Sequence, residues 1–339
     1  MSRRLGTLAV GAVLLIALAA GGAMLPVPYV ALGPGPAYNV LDSLDGRQVI
    51  TVTGMQPNPS SGNLSLTTVS VRDGLELFRA VEGWVDPEES VVPREEVYPP
   101  DQTDEQIDQA NRQDFLNSQD SAEAAALGYL GYPMKVVVVE VPEDSPSYHH
   151  LRPDDAIESV DGTPVADPDA LVAVLESIQP GDAASVTYAR LGRERTTTVT
   201  TTQAQDRDGA ALGVSISYER KAPFDVEISV ANVGGPSAGL MLTLGVIDLV
   251  GDTDLVQGLF VAGTVTISAD GEVGPIGGIR LKIIAAHDLG ADAFLVPSSN
   301  CAEALVGAPE GMPLVTVDTL QDALSALGDL RDGDTPPTC

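Results

Sequence analysis

Residues 234–250 constrain this chain more than any other stretch. Gly234-Gly235-Pro236-Ser237-Ala238-Gly239 sets a serine among small residues, and an apolar run over 240–250 follows it. Proline suits the first turn of a helix, where its missing N–H has no intrahelical partner to lose. Ser237 is therefore expected at a loop-to-helix junction, close to free backbone N–H groups and the positive end of a helix dipole. Donors placed there favour a developing oxyanion, and the backbone N–H groups of Gly235 and Ser237 are the candidates. Such a serine still needs a base.

Few residues can supply one. The chain has three histidines, His149, His150 and His287, and three lysines, Lys135, Lys221 and Lys282. Arginine stays protonated and cannot serve. His149 and His150 lie far upstream and read as loop residues. Lys282 stands in Pro275-Ile276-Gly277-Gly278-Ile279-Arg280-Leu281-Lys282-Ile283-Ile284, a helix entered through a glycine turn. Ile279, Ile283 and Ala286 set it beside a buried face. Burial disfavours an ammonium and lowers a lysine's pKa, as a lysine base requires. His287, five residues on, turns to a different helix face and reads as structural.

Gly-Pro-Ser-Ala-Gly followed, 45 residues from serine to lysine, by Pro-Ile-Gly-Gly-Ile-x-x-Lys resembles the proteolytic domain of the Lon family, Ser–Lys dyad peptidases. The resemblance covers residues 208–330. It implies Ser237 as nucleophile and Lys282 as general base. It also implies Thr264 as the threonine that hydrogen-bonds the lysine amine, with Thr266 taking its place if the turn at Asp270 holds an insertion. Gly234 departs from the pattern, because ATP-dependent members often carry an acidic residue two before that proline. No Gly-x-x-x-x-Gly-Lys-Ser/Thr phosphate loop occurs in the sequence, so no nucleotide or other cofactor is expected.

A second resemblance lies just upstream. Ser145-Pro146, Leu151-Arg152-Pro153-Asp154-Asp155-Ala156-Ile157, Val160-Asp161-Gly162 and Pro180-Gly181 are similar to a bacterial PDZ domain over 133–204. Such domains take a peptide as an added strand between a sheet edge and a helix. The helix here is expected over 168–178. Tyr129-Leu130-Gly131-Tyr132 reads either as a carboxylate-binding loop or as a plain helix end.

Residues 5–25 carry no charge and are long enough to span a hydrocarbon core. Arg3 and Arg4 before them predict a cytoplasmic N terminus (residues 1–4) and a body outside the cytoplasm. The rival reading is a cleaved signal peptide, with Ala17-Leu18-Ala19 as its small-x-small site. The anchor is the expectation. The layout then resembles the bacterial membrane-anchored family of PDZ-containing Lon-like proteases.

The remaining chain reads as a membrane-proximal α/β region over 26–132, with strands in 47–71, a helix over 73–82 capped by Asp73, and a helix over 104–130. A polar linker covers 206–210. Strands at 212–218, 224–230, 260–267, 293–296 and 314–317 alternate with helices, one of them short and capped by Asn300. Residues 331–339 form a flexible tail. The fold class expected is α+β. Cys301 and Cys339 either bridge, in an oxidising compartment, or stay apart. No cysteine–histidine spacing suits a metal.

A net charge of −30 argues against a nucleic-acid partner. The expected activity is ATP-independent serine endopeptidase action on proteins or peptides outside the cytoplasm, with the PDZ-like domain presenting substrate. A homo-oligomeric ring is implied by the resemblance alone. The alternative is a non-catalytic PDZ/Lon-like scaffold that binds peptide at the membrane.

Overall fold

The computed structural model describes residues 3–22, 24–44, 46–204, 209–230 and 234–339. Helix α1 (Arg3–Gly22) corrects the expected anchor over 5–25. No helix among the described residues is long and apolar enough to cross a membrane. The reason lies at the helix end. Gly21 and Gly22 close it, and the Met24 N–H turns back to the Gly21 carbonyl at 3.2 Å. Leu77 N–H then donates to Leu25 O, and Val27 N–H to Leu75 O, both at 2.9 Å. The end of the uncharged run thus belongs to the folded body. The single-pass topology loses its spanning helix, and the placing of the body outside the cytoplasm loses its basis.

The chain continues through β1 (Tyr29–Asn39), β2 (Ile50–Thr53), β3 (Asn63–Arg72), α2 (Leu77–Val85), β4 (Ser90–Pro93) and α3 (Asp104–Tyr129). Next come β5 (Met134–Glu140), β6 (Ala156–Val160), α4 (Pro168–Glu176), β7 (Ala183–Arg190), β8 (Arg193–Thr200), β9 (Ser215–Arg220) and β10 (Asp225–Ile228). Then follow α5 (Gly239–Val250), β11 (Phe260–Gly263), α6 (Ile279–Asp288), β12 (Ala293–Pro297), β13 (Leu314–Val317) and α7 (Leu320–Asp332). Of the linker read over 206–210, residues 206–208 lie outside the described residues.

Two sheets organise these elements. One runs β13-β12-β11-β3-β1-β4, the other β8-β7-β6-β5-β9. In the first, β13, β12, β11 and β3 are parallel, while β1 pairs antiparallel with β3 and β4. Strands from 26–132 therefore share a sheet with strands after residue 259. The second sheet sits between them in sequence, and β9 closes it by pairing antiparallel with β5. The chain leaves the first core at Pro133 and returns at Lys221, where Lys221 N–H donates to the Pro133 carbonyl at 3.3 Å. The second sheet and α4 are thus an insertion whose two ends touch.

Local chemistry explains the helices that matter. α3 starts with a capping box: Thr103 Oγ1 accepts from the Gln106 N–H, and the Thr103 N–H donates to Gln106 Oε1. α5 is apolar apart from Thr243 and Asp248, so a central position suits it, and each of its residues is buried. α3 lies on one side of it, β3 and β11 on another, and Val40 and Ile50 crowd Gly245, where a Cβ would come within 2.8 Å of both. One core joins Val40, Ile50, Leu64, Phe115, Leu127, Leu242, Val261 and Leu327. The inserted module has its own core around Val136, Ile157, Leu171, Val186 and Leu212.

Three local expectations change. α2 begins at Leu77, with Glu76 as a cap that makes no side-chain bond, and Asp73 instead pairs with Arg94 at 3.0 Å. Asn300 caps nothing with its side chain. The tail read as flexible lies along β13, with Thr316 N–H on Pro337 O and Cys339 N–H on Leu314 O. Cys301 and Cys339 are joined by a disulfide.

Candidate active site

Ser237 stands two residues before α5, at the expected junction. Lys282 enters from α6, one turn after Gly278, whose φ of 66° is left-handed and suits glycine. A Cβ on Gly278 would also meet Val69 Cγ2 at 3.0 Å. Asn300 holds this turn: Ile276 N–H donates to its Oδ1 at 3.0 Å, and its Nδ2 donates to Ile276 O at 2.9 Å. The reciprocal pair fixes where α6 starts and so where Lys282 points.

Lys282 Nζ lies 3.3 Å from Ser237 Oγ and 3.2 Å from Thr264 Oγ1. Thr264 Oγ1 in turn donates to the Ser237 carbonyl at 3.0 Å. One hydroxyl thereby touches both members of the pair. Thr266 is elsewhere, paired across a short ladder with Gly274. The Lys282 residue is 6% exposed. Burial pulls its pKa from the ordinary 10.5 down to about 8, against the opposing pull of the Glu303 carboxylate. Desolvation penalises the ammonium, and among the described residues no salt bridge restores it.

The nucleophile loop is clamped from the far side by α3. Gly235 N–H donates to Asn111 O at 3.0 Å, Ser118 Oγ to Pro236 O at 2.9 Å, and Gln119 Nε2 to Ile228 O at 2.9 Å. Sequence reading missed these residues, because nothing in α3 marks it as a neighbour of Ser237 until the fold is known. The clamp also accounts for Gly234, where a Cβ would sit 3.0 Å from Asn111 Cβ. An acidic side chain there would press on α3 and require Asn111 to shift by a few tenths of an ångström. Gly235, a candidate oxyanion donor, spends its N–H on Asn111 in this structure, whereas Ser237 N–H makes no such contact among the described residues. Ser118→Ala should cost about 1 kcal/mol in urea unfolding, the value of a partly buried hydrogen bond, and reduce peptide turnover several-fold. Unchanged stability and turnover would show that the clamp is incidental.

A cleft of about 500 Å³ opens onto Ser237 and Lys282, walled by Tyr38, Thr67, Val69 and Gly277. His287 is exposed beside Asp288. His150 Nδ1 sits 2.9 Å from Thr197 Oγ1 in the inserted module, and His149 packs its ring on Tyr148. Neither adjoins the dyad. Among the described residues no cluster of His, Cys, Asp or Glu is arranged to hold a metal.

A second cleft, of about 630 Å³, lies in the inserted module between α4, through Leu171, Val172 and Leu175, and residues 211–216 leading into β9. β9 ends its sheet, so one edge is unpaired among the described residues. Residues 129–132 are instead a helix end: Leu130 caps α3, and Tyr132 N–H donates to Leu127 O at 2.9 Å.

Residues 106–201 match the PDZ domain family, and residues 219–327 match the Lon protease (S16) C-terminal proteolytic domain. The chain is similar to the Lon protease of Campylobacter concisus, 35% identical over 127 residues, which is 35% of this chain and 15% of that protein. It is also similar to the Lon protease of Phenylobacterium zucineum, 30% identical over 166 residues, 47% of this chain and 21% of the other. It therefore spans well under a third of the length of either relative. Among solved structures, the PDZ domain of an SdrC-like protein from Listeria monocytogenes matches 24% of this chain and 86% of its own, at 20% identity and a TM-score of 0.23.

Proposed function

From a chain that carries a PDZ domain and a Lon-type C-terminal proteolytic domain, we propose an endopeptidase that works without ATP through a Ser237–Lys282 dyad. The observation that carries the reading is the buried amine, 3.3 Å from the serine hydroxyl and pulled to a pKa of about 8. Neutral Lys282 takes the Ser237 proton as Oγ attacks the peptide carbonyl carbon. The resulting ammonium returns that proton to the leaving amine as the C–N bond breaks. Water then attacks the acyl-enzyme with Lys282 again as base. Thr264 keeps the amine and the Ser237 carbonyl in register. Ser237 N–H is one oxyanion donor, and Gly235 N–H is a second once it exchanges Asn111 O for the substrate oxygen.

The inserted module is assigned to substrate presentation. The open edge of β9 facing α4 suits an extended chain that adds as a strand, with side chains entering the apolar cleft. The full chain should cleave an unfolded protein and fluorogenic peptides without nucleotide, and Ser237→Ala should not. Equal cleavage by Ser237→Ala would remove the nucleophile assignment, and a strict need for ATP would remove the other half of the proposal.

A further inference from the structure

A neutral lysine acting as a base has one lone pair and two N–H groups. If its lone pair faces the serine O–H, the two N–H groups need two acceptors. Thr264 Oγ1 is one. No other acceptor among the described residues lies within hydrogen-bonding distance of Lys282 Nζ. As an ammonium, after proton transfer, Lys282 has three donors and still only two partners.

Thr67 offers the missing acceptor. It is 2% exposed, and its Oγ1 is buried with no hydrogen-bond partner among the described residues. Buried hydroxyls are seldom left in that state, because each forfeits its hydration without recompense. Thr67 lies in β3, which runs parallel to β11 with Ser65 opposite Ala262 and Leu66 opposite Gly263. One step beyond this ladder Thr67 follows Leu66, and Thr264 follows Gly263, the last residue of β11. Alternation along β3 puts Thr67 on the face of Ser65, whose partner across the ladder is Ala262. Ala262 shares one buried cluster with Ile279 and Ile283 of α6, and β11 contacts that helix, so that face is the one α6 covers. Thr67 and Lys282 also wall the same cleft.

We propose that Thr67 is a positioning residue whose hydroxyl accepts a hydrogen bond from Lys282 Nζ during turnover, completing the shell that Ser237 and Thr264 begin. The inference rests on the Ser237–Lys282 reading. An acceptor of this kind favours the ammonium over the amine. The charged groups around Lys282 are otherwise few: Glu303, from the short helix Cys301–Ala304, is the carboxylate whose field it feels, and Arg280 on α6 is engaged with the carbonyls of Pro87 and Glu89.

The test is Thr67→Val, which keeps the shape and removes the hydroxyl, beside Thr67→Ser and Ser237→Ala in the full chain. Peptide cleavage is followed from pH 6 to pH 10, with thermal melting of each variant. Thr67→Val should lower kcat roughly tenfold with KM nearly unchanged. The acid limb of its pH–rate profile should move down by roughly half a pH unit, because the ammonium has lost a partner. Thr67→Ser should restore both, and the melting temperature of Thr67→Val should stay or rise. Unchanged kcat and pH profile in Thr67→Val overturn the inference, and so does its unfolding, since that would make the hydroxyl structural. If Ser237→Ala cleaves like the unaltered chain, the dyad reading itself falls. If Ser237→Ala is inert while Thr67→Val is normal, only the role of Thr67 falls.

Discussion

Lys282→Arg is expected to abolish nearly all peptidase activity while leaving the chain folded. The substitution keeps a positive charge and most of the length, but a guanidinium does not lose its proton near neutral pH. The size of the effect follows from the amine's surroundings. With a pKa of about 8, roughly a tenth of Lys282 is neutral at pH 7, some 300-fold more than an unburied lysine would provide. The rate of the unaltered chain should accordingly climb with pH through about 8 and level off above it. The effect on stability has a definite sign. A lysine whose folded pKa is depressed binds fewer protons folded than unfolded between about 8 and 10.5. Its burial therefore weakens the fold fully below pH 8, and the penalty is relieved as pH rises through that window. Lys282→Met, of similar bulk and without charge, should melt higher than the unaltered chain at pH 7, with the difference shrinking towards pH 10. Substantial turnover by Lys282→Arg would mean another base, and His287, exposed beside Asp288, would then have to be reconsidered.

The Ser237–Lys282 pair was legible because the sequence around each residue is distinctive locally. Glycine and proline bracket Ser237, a glycine turn precedes Lys282, and the apolar residues around each announce burial before any fold is known. Most strands and helices could be read for the same reason, since patterns of two and of three to four residues are written along the chain. Partnership between distant strands is not written there. Nothing in Asn63–Arg72 says that it pairs with Phe260–Gly263, or that Asp104–Tyr129 lies against the nucleophile loop. Thr67, Asn111 and Ser118 were invisible for that reason. The same blindness affected β9, whose alternation suits either sheet and whose place is decided by its pairing with β5. The expected membrane span failed differently. Absence of charge over 5–25 does not imply one continuous helix: Gly21 and Gly22 end it, and Leu25 joins the body.

A fragment of residues 208–330 is expected not to fold, although it contains the dyad and the whole matched proteolytic segment. Cut there, β11 loses β3 as its neighbour and α5 loses α3. Val40, Ile50, Leu64, Leu66, Phe115 and Leu127 all leave the core. At about 2 kcal/mol for each such side chain the loss is roughly 12 kcal/mol, comparable with the whole stability of an ordinary domain at about 5–15 kcal/mol. The opposite surgery should be tolerated. Lys221 N–H already meets the Pro133 carbonyl at 3.3 Å, so residues 134–220 can be replaced by a short glycine–serine linker without moving either end. What is lost is a module with its own core, together with the Arg220 contact to Tyr132 O and the Lys221 bridge to Asp154. That variant should melt cooperatively and cleave small peptides, while discriminating less among protein substrates. Circular dichroism and a melt of the 208–330 fragment decide the first half, and a cooperative transition there would refute the shared sheet. Cleavage by the deletion variant decides the second: a folded but inert protein would mean that the inserted module completes the active site and does more than deliver substrate to it.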